Sequence, residues 1–270
     1  MSKVNQNNHF ELLLFSRDRQ RIKAACLGGI GGVIIDLERS GKRSRQAGAD
    51  TMISDDTLDD LSAIRDFTNA KLVCRINNPS DTSFEEMEEA IQRGVDELLI
   101  PMVRTPAEVN KIISRVNSRC GVGILIETID ALENAKELSK LPLSRVYIGL
   151  NDLAIQCKRP NQIFWPFIDG TLEKIRPLFN IPFGTAGVTL PQSGFPIPCH
   201  LIIKELVRLS CSHSFLRRSF QRDTEGRDLS LEIPFILAAF DAAQLRNEQE
   251  IENDRINLKQ HIKELYGFCG

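Results

Sequence analysis

Gly123-Ile124-Leu125-Ile126-Glu127-Thr128 and, downstream, Val146-Tyr147-Ile148-Gly149-Leu150-Asn151-Asp152-Leu153 each run from a short apolar stretch into an acid. Apolar runs of that length suit strands buried on both faces, as in a parallel sheet covered by helices. A carboxylate at the end of such a strand is costly to bury without a partner. Two of them on consecutive strands, 25 residues apart, point to a shared partner. A divalent cation has the charge for that place.

Working outward, strand-length apolar runs recur at Leu12 to Phe15, Val33 to Ile35, Leu72 to Ile76, Leu98 to Ile100, Val122 to Ile126, Val146 to Ile148, Phe183 to Val188 and Ser214 to Leu216. Between most of them lie stretches of helical periodicity with explicit start signals. Thr105-Pro106-Ala107-Glu108 combines a capping hydroxyl, a first-turn proline and a glutamate able to reach back to the cap. Ser83-Phe84-Glu85-Glu86 repeats the box without the proline, and Asp130 with Glu133 is a weaker version. This alternation predicts an α/β fold, a (β/α)8 TIM barrel of the usual size of about 250 residues. An open, doubly wound sheet is the competing architecture.

The barrel is expected to form a catalytic domain over residues 1–240, followed by a helical extension over 241–270. From about Asp241 to Leu265 the chain is a charged helical run, with Ile251, Leu258 and Leu265 at seven-residue spacing and Ile262 on a neighbouring position of that face. Such a stripe must pack, either on the barrel's own helices or against another subunit. The second case makes the extension a candidate oligomerisation element, and a homo-oligomer is expected.

Composition narrows the function classes. The 270 residues are 42% hydrophobic and 26% charged, enough to bury a large core, with a formal net charge of -2. That charge provides no field to attract nucleic acid or an anionic membrane. The residues before Phe10 are polar, and no later segment approaches the roughly 18 consecutive apolar residues of a membrane span. The seven cysteines are odd in number and show no C-x-x-C spacing, which reads as reduced, mostly core thiols of a cytoplasmic protein.

In a barrel of this kind, catalytic groups gather where strands end and the following loops begin. Polar residues collect at those places here: Asp36 and Glu38 after the second strand, Arg75 and Asn77 on the third, Glu127 after the fifth, Gly149, Asn151 and Asp152 after the sixth, Arg217 and Arg218 after the eighth. The long connections Leu37 to Asp56, Asn161 to Phe167 and Thr189 to Cys199 fall on the same rim and suggest a covered pocket. Blander readings stand beside these. Arg75 with Asp36 could be a structural ion pair, Asp152 a helix N-cap, and His200 and His213 a helix-start and a strand-edge residue.

Taken in order, Gly32-Val33-Ile34-Ile35-Asp36-Leu37-Glu38, Arg75-Ile76-Asn77, Leu99-Ile100-Pro101, Ile126-Glu127-Thr128 and Gly149-Leu150-Asn151-Asp152-Leu153 resemble the superfamily of hydroxy-oxo-acid aldolases and citrate lyase beta subunits. The resemblance implies a lyase dependent on Mg2+ or Mn2+, with Glu127 and Asp152 as metal ligands. It implies that Arg75 binds the oxygen on which charge develops as a carbon–carbon bond breaks, and that Gly149, Leu150 and Asn151 offer backbone N–H groups to the substrate carboxylate. Glu38 would hold a water of the cation and Asp36 would fix Arg75. Hard carboxylate oxygens suit such cations in any case, and two of them leave coordination sites for water and an oxo acid.

One departure stands out. Pyruvate-type aldolases of the superfamily carry a histidine after the Asp-x-Glu pair, and the citrate lyase and malyl-coenzyme A lyase branch carries a further aspartate. Arg39 occupies that place here. The expected function is a metal-dependent aldolase or lyase acting on a carbon–carbon bond of a small hydroxy or oxo carboxylic acid. The alternatives are a lyase for a coenzyme A thioester, for which Arg17, Lys42 and Arg43 are available, and a catalytically silent metabolite-binding barrel.

Overall fold

The computed structural model describes residues 10–39, 54–79, 84–216 and 218–267. Eight parallel strands close into a barrel in sequence order. They are β1 (Glu11–Phe15), β2 (Gly32–Asp36), β3 (Lys71–Arg75), β4 (Glu97–Ile100), β5 (Gly121–Ile126), β6 (Arg145–Ile148), β7 (Phe183–Gly187) and β8 (His213–Leu216). β8 pairs back onto β1, with Leu12 opposite Ser214 and Leu13 opposite Phe215, which excludes the open sheet.

Helices α1 (Arg19–Leu27), α2 (Leu58–Arg65), α3 (Glu85–Gln92), α4 (Pro106–Val116), α5 (Ile129–Glu133), α6 (Ala135–Leu138), α7 (Leu150–Gln156), α8 (Thr171–Ile175), α9 (Cys199–Arg208) and α10 (Arg218–Asp223) alternate with the strands. Thr105 caps α4 as its sequence predicts, its hydroxyl accepting from the Glu108 N–H at 3.3 Å. The reciprocal half of that box is absent, because the Glu108 carboxylate accepts from Asn78 Nδ2 at 2.8 Å. Glu86 is likewise diverted, accepting from the Asn77 N–H at 2.7 Å and from its Nδ2 at 2.8 Å. Its expected partner Ser83 lies outside the described residues.

Alternation along each strand sorts the barrel interior into three tiers. At the base, Arg145 bonds Glu97 and Glu11 at 2.7 and 2.8 Å, while Lys71 stands 3.1 Å from Glu97. His213 is buried at the same level. Glycine makes the room: a Cβ at Gly123 would sit 2.7 Å from Arg145 Cγ, and one at Gly184 would sit 2.7 Å from His213 Nε2. Two residues further along come Leu13, Ile34, Val73, Leu99, Leu125, Tyr147 and Phe215, which with Phe15 at the end of β1 make a core cluster separate from the one between strands and helices. Within it Tyr147 stacks on Phe215 at 3.7 Å between centroids, and Phe15 meets Phe215 edge-on at 5.4 Å. The next inward positions, at the carboxyl ends of the strands, are Asp36, Arg75 and Glu127.

The charged C-terminal run differs from its sequence reading. Residue 241 lies inside a helix, α11 (Leu229–Gln244), and a second helix, α12 (Glu248–Leu265), starts after a break. The break has a local cause, since Asn247 accepts from the Glu250 N–H at 3.0 Å and Glu250 accepts from the Asn247 N–H at 2.8 Å. Of the stripe, Leu258 and Ile262 are buried and Leu265 is 41% exposed. α12 packs on this chain's own barrel. Asp254 bonds Lys204 at 2.7 Å and Arg246 at 2.8 Å, Arg255 reaches Glu173 at 3.0 Å, and the Tyr266 hydroxyl accepts from the Phe164 N–H at 2.8 Å. Among the described residues the cysteines are free, and no helix is long and apolar enough to cross a membrane.

Candidate active site

Asp36 ends β2 and Arg75 ends β3, and the strand register sets them side by side. Arg75 donates from Nε to Asp36 Oδ1 at 2.8 Å and from a terminal nitrogen to Asp36 Oδ2 at 2.6 Å. Its other terminal nitrogen lies 3.3 Å from Glu38 Oε2. All three side chains are buried. Burial opposes the guanidinium charge, and Asp36 and Glu38 more than offset it, so Arg75 is firmly protonated. The Arg75 guanidinium carbon lies over the Phe15 ring, 5.6 Å from its centroid.

Glu127 follows β5 and is 2% exposed. Burial pushes its carboxyl well above the usual range, and the nearby Asp152 and Glu38 charges push in the same direction, against the pull of Arg75. Its Oε1 accepts the Met102 N–H at 2.8 Å, with Met102 in the left-handed region at φ 54. Gly149 gives the other oxygen its space: a Cβ there would stand 2.2 Å from Glu127 Oε2. Asp152, also buried, sits in the first turn of α7. The N-cap position belongs to Gly149, so capping does not account for Asp152.

Thus Asp36, Glu38, Arg75, Glu127 and Asp152 converge at one end of the barrel. The Gly149 N–H donates to the Ile126 carbonyl at 3.1 Å. Leu150 and Asn151 begin α7, where first-turn N–H groups have no acceptor within the helix. Arg39 is turned outward, its guanidinium donating to the Asp56 carbonyl at 2.6 Å and its N–H to Asn77 Oδ1 at 2.8 Å. Asp56 also accepts the Asp36 N–H at 2.9 Å, and burial holds its carboxyl above the usual range. His200 is exposed on α9. The Arg217 side chain, Lys42 and Arg43 lie outside the described residues.

Burial first, and then the charges of Asp152 and Glu38, raise the affinity of Glu127 for a proton, a cost that a bound divalent cation would relieve. Among the described residues there is no group of three or more His, Cys, Asp or Glu arranged to hold a metal ion. The fit therefore rests on the Glu127 and Asp152 pair, with remaining positions for water and substrate.

The sequence profile of HpcH/HpaI aldolase/citrate lyase matches residues 11–163, more than half of the chain. The chain belongs to the HpcH/HpaI aldolase/citrate lyase family. It is an enzyme of the carbon–carbon lyase and aldolase type, and the matched span covers β1 to β6 with Asp36, Glu38, Arg75, Glu127 and Asp152. Solved structures agree in fold. The HpcH/HpaI aldolase from Desulfitobacterium hafniense aligns with TM-score 0.58 at 13% identity, over 81% of this chain and 90% of that one. A citrate lyase from Burkholderia xenovorans aligns with TM-score 0.59 at 12% identity, over 90% and 79%. Tryptophan synthase from M. tuberculosis aligns with TM-score 0.57 at 13% identity, over 86% and 94%, so likeness at this level reports the barrel alone. No curated protein sequence matches the chain.

Sequence reasoning missed Met102, Asp56 and Gly149's steric role. Met102 had no readable signal, since its contribution is a backbone N–H. Asp56 closes the long segment after β2 and is adjacent to Asp36 only through the fold.

Proposed function

We propose that this aldolase/citrate lyase family member is a divalent-cation-dependent lyase that cleaves or forms a carbon–carbon bond beside the carbonyl of a small hydroxy or oxo carboxylic acid. What carries the reading is the Arg75 fork on Asp36 set beside buried Glu127, whose carboxyl is pushed up by burial and by Asp152. Glu127 and Asp152 would hold Mg2+ or Mn2+. When bound, the cation supplies Lewis acidity at the substrate's oxygens.

The chain's own residues divide the remaining work. Arg75, always charged, donates to the oxygen that gains negative charge as the bond breaks, and Asp36 keeps its guanidinium plane fixed so that little reorganisation is needed. The first-turn N–H groups of Leu150 and Asn151 receive the substrate carboxylate. The cluster of Phe15, Tyr147 and Phe215 closes the floor and keeps water from entering below. A proton is handled at Glu38 Oε, directly or through one water, because Arg39 cannot act as a base and is engaged with Asp56.

The test is a screen of hydroxy and oxo acids and of coenzyme A thioesters with Mg2+ and Mn2+, read as release of pyruvate or acetyl-coenzyme A. Cation-dependent product with a free acid supports the proposal. Product only with thioesters moves the substrate class to coenzyme A esters. Tight Mn2+ binding with no product from any substrate would replace the lyase by a metabolite-binding barrel.

A further inference from the structure

Asn77 and Asn78 follow β3 directly, and their side chains leave in opposite directions around the rim. Asn77 turns back to the segment after β2. Its Nδ2 donates to the Leu37 carbonyl at 3.0 Å and its Oδ1 accepts the Arg39 N–H at 2.8 Å, so one amide grips the backbone on both sides of Glu38. Asn78 turns forward to the segment after β4. Its Nδ2 lies 3.1 Å from the Pro101 carbonyl and 3.1 Å from the Met102 carbonyl. Met102 is the residue whose N–H holds Glu127.

Each amide is braced by a glutamate from the helix that follows a strand. Glu86 of α3 accepts from Asn77 N and Nδ2 at 2.7 and 2.8 Å, and Glu108 of α4 accepts from Asn78 Nδ2 at 2.8 Å. An ionised carboxylate only accepts hydrogen bonds, so each glutamate dictates which end of the amide carries the hydrogens. With Nδ2 fixed toward Glu86, Oδ1 of Asn77 is the end left to receive Arg39. The segment after β4 is also held by the residue next to Glu127, the Thr128 hydroxyl donating to the Val103 carbonyl at 2.7 Å.

We propose that Asn77 and Asn78 are a positioning pair for the reaction: Asn77 sets Glu38 and through it Arg75, while Asn78 sets Glu127 through Met102. One dipeptide would then fix the separation between the proton-handling side and the cation side of the site. The proposal rests on the lyase reading above, and its test has readouts that do not need turnover.

Asn77→Leu and Asn78→Leu keep side-chain size and remove the hydrogen bonds. Mn2+ affinity is measured by titration calorimetry. The Arg75 Nε–H resonance is followed by NMR, assigned by its disappearance in Arg75→Lys. Asn78→Leu is expected to weaken Mn2+ binding about tenfold, as loss of a residue that orients a metal ligand does, and to leave the Arg75 resonance in place. Asn77→Leu is expected to shift that resonance and lower kcat, with Mn2+ affinity and KM unchanged. The same effect of both variants on both readouts, or no effect on either, would overturn the pairing. If a leucine variant fails to fold, Glu86→Gln, which turns an NH2 group toward a donor, and Glu108→Leu, which removes the acceptor of Asn78 Nδ2, must show the same split. Lack of any carbon–carbon cleavage by the wild type retires the reaction, while the Mn2+ and NMR readouts still decide the positioning.

Discussion

Arg75 meets Asp36 through two parallel N–H···O bonds of 2.8 and 2.6 Å, the two residues being neighbours across β2 and β3. This fork-to-fork contact needs the planar guanidinium. Arg75→Lys should therefore keep the charge, lose the geometry and reduce kcat by about a hundredfold, the usual effect of removing one donor to a developing oxyanion. Steady-state kinetics beside a Mn2+ titration check this. Turnover near that of the wild type would remove Arg75 from the chemistry.

Glu127→Gln should weaken cation binding strongly and leave the thermal midpoint equal to or above that of the cation-free wild type. The reason is that a neutral amide avoids the cost of burying a carboxylate there, and with it the repulsion from Asp152 and Glu38. Loss of folding in this variant would instead assign Glu127 a structural part.

The same group predicts a pH dependence. Its carboxyl is raised in the folded, cation-free protein, so between the unfolded value of 4.5 and the higher folded value the native state binds more protons and loses stability as pH rises. Bound Mn2+ replaces the proton and removes that loss. Stabilisation by Mn2+, read as the shift of thermal midpoint, should grow with pH over that window, and a shift independent of pH would contradict the assignment.

A smaller change tests the packing around the same carboxylate. Gly149→Ala would put a methyl 2.2 Å from Glu127 Oε2, and φ at Gly149 is -85, so the strain is spatial and not conformational. Displacement of the carboxylate should lower Mn2+ affinity about tenfold. Unchanged calorimetric affinity would show that this oxygen does not face the cation.

At the base of the barrel, His213 is fully buried and neither ring nitrogen finds a hydrogen-bond partner among the described residues. Burial, with Arg145 and Lys71 nearby, pushes its pKa well below 6.5. The unfolded chain then takes up a proton that the native state refuses, so stability falls as pH drops below 6.5 toward the folded value. His213→Leu should flatten the acid side of the stability–pH curve by one proton's contribution. Denaturant titrations over that range decide it, and parallel curves for wild type and variant would count against the prediction.

The strands, their order and the gathering of Asp36, Glu38, Arg75, Glu127 and Asp152 were legible because buried parallel strands write short apolar runs and a strand-end charge breaks them. What escaped reading was partner choice. Glu86 and Glu108 stand where a capping box puts its glutamate, and only the fold reveals that Asn77 and Asn78 claim them. The basal tier escaped too, since Glu11, Lys71, Glu97 and Arg145 look like ordinary polar strand ends until the barrel closes around them. Helix propensity also ran through the break before α12, which is set by the Asn247 and Glu250 exchange.

The ring cluster of Phe15, Tyr147 and Phe215 divides the cylinder into two storeys. Lys71 below and Arg75 above belong to one strand, and their α-carbons are about 13 Å apart along it. Substitutions separated by more than about 7–10 Å without shared partners act additively. The lower storey can thus be rewritten for thermal endurance and the upper one for a new substrate as independent engineering problems, with their effects combined by simple addition.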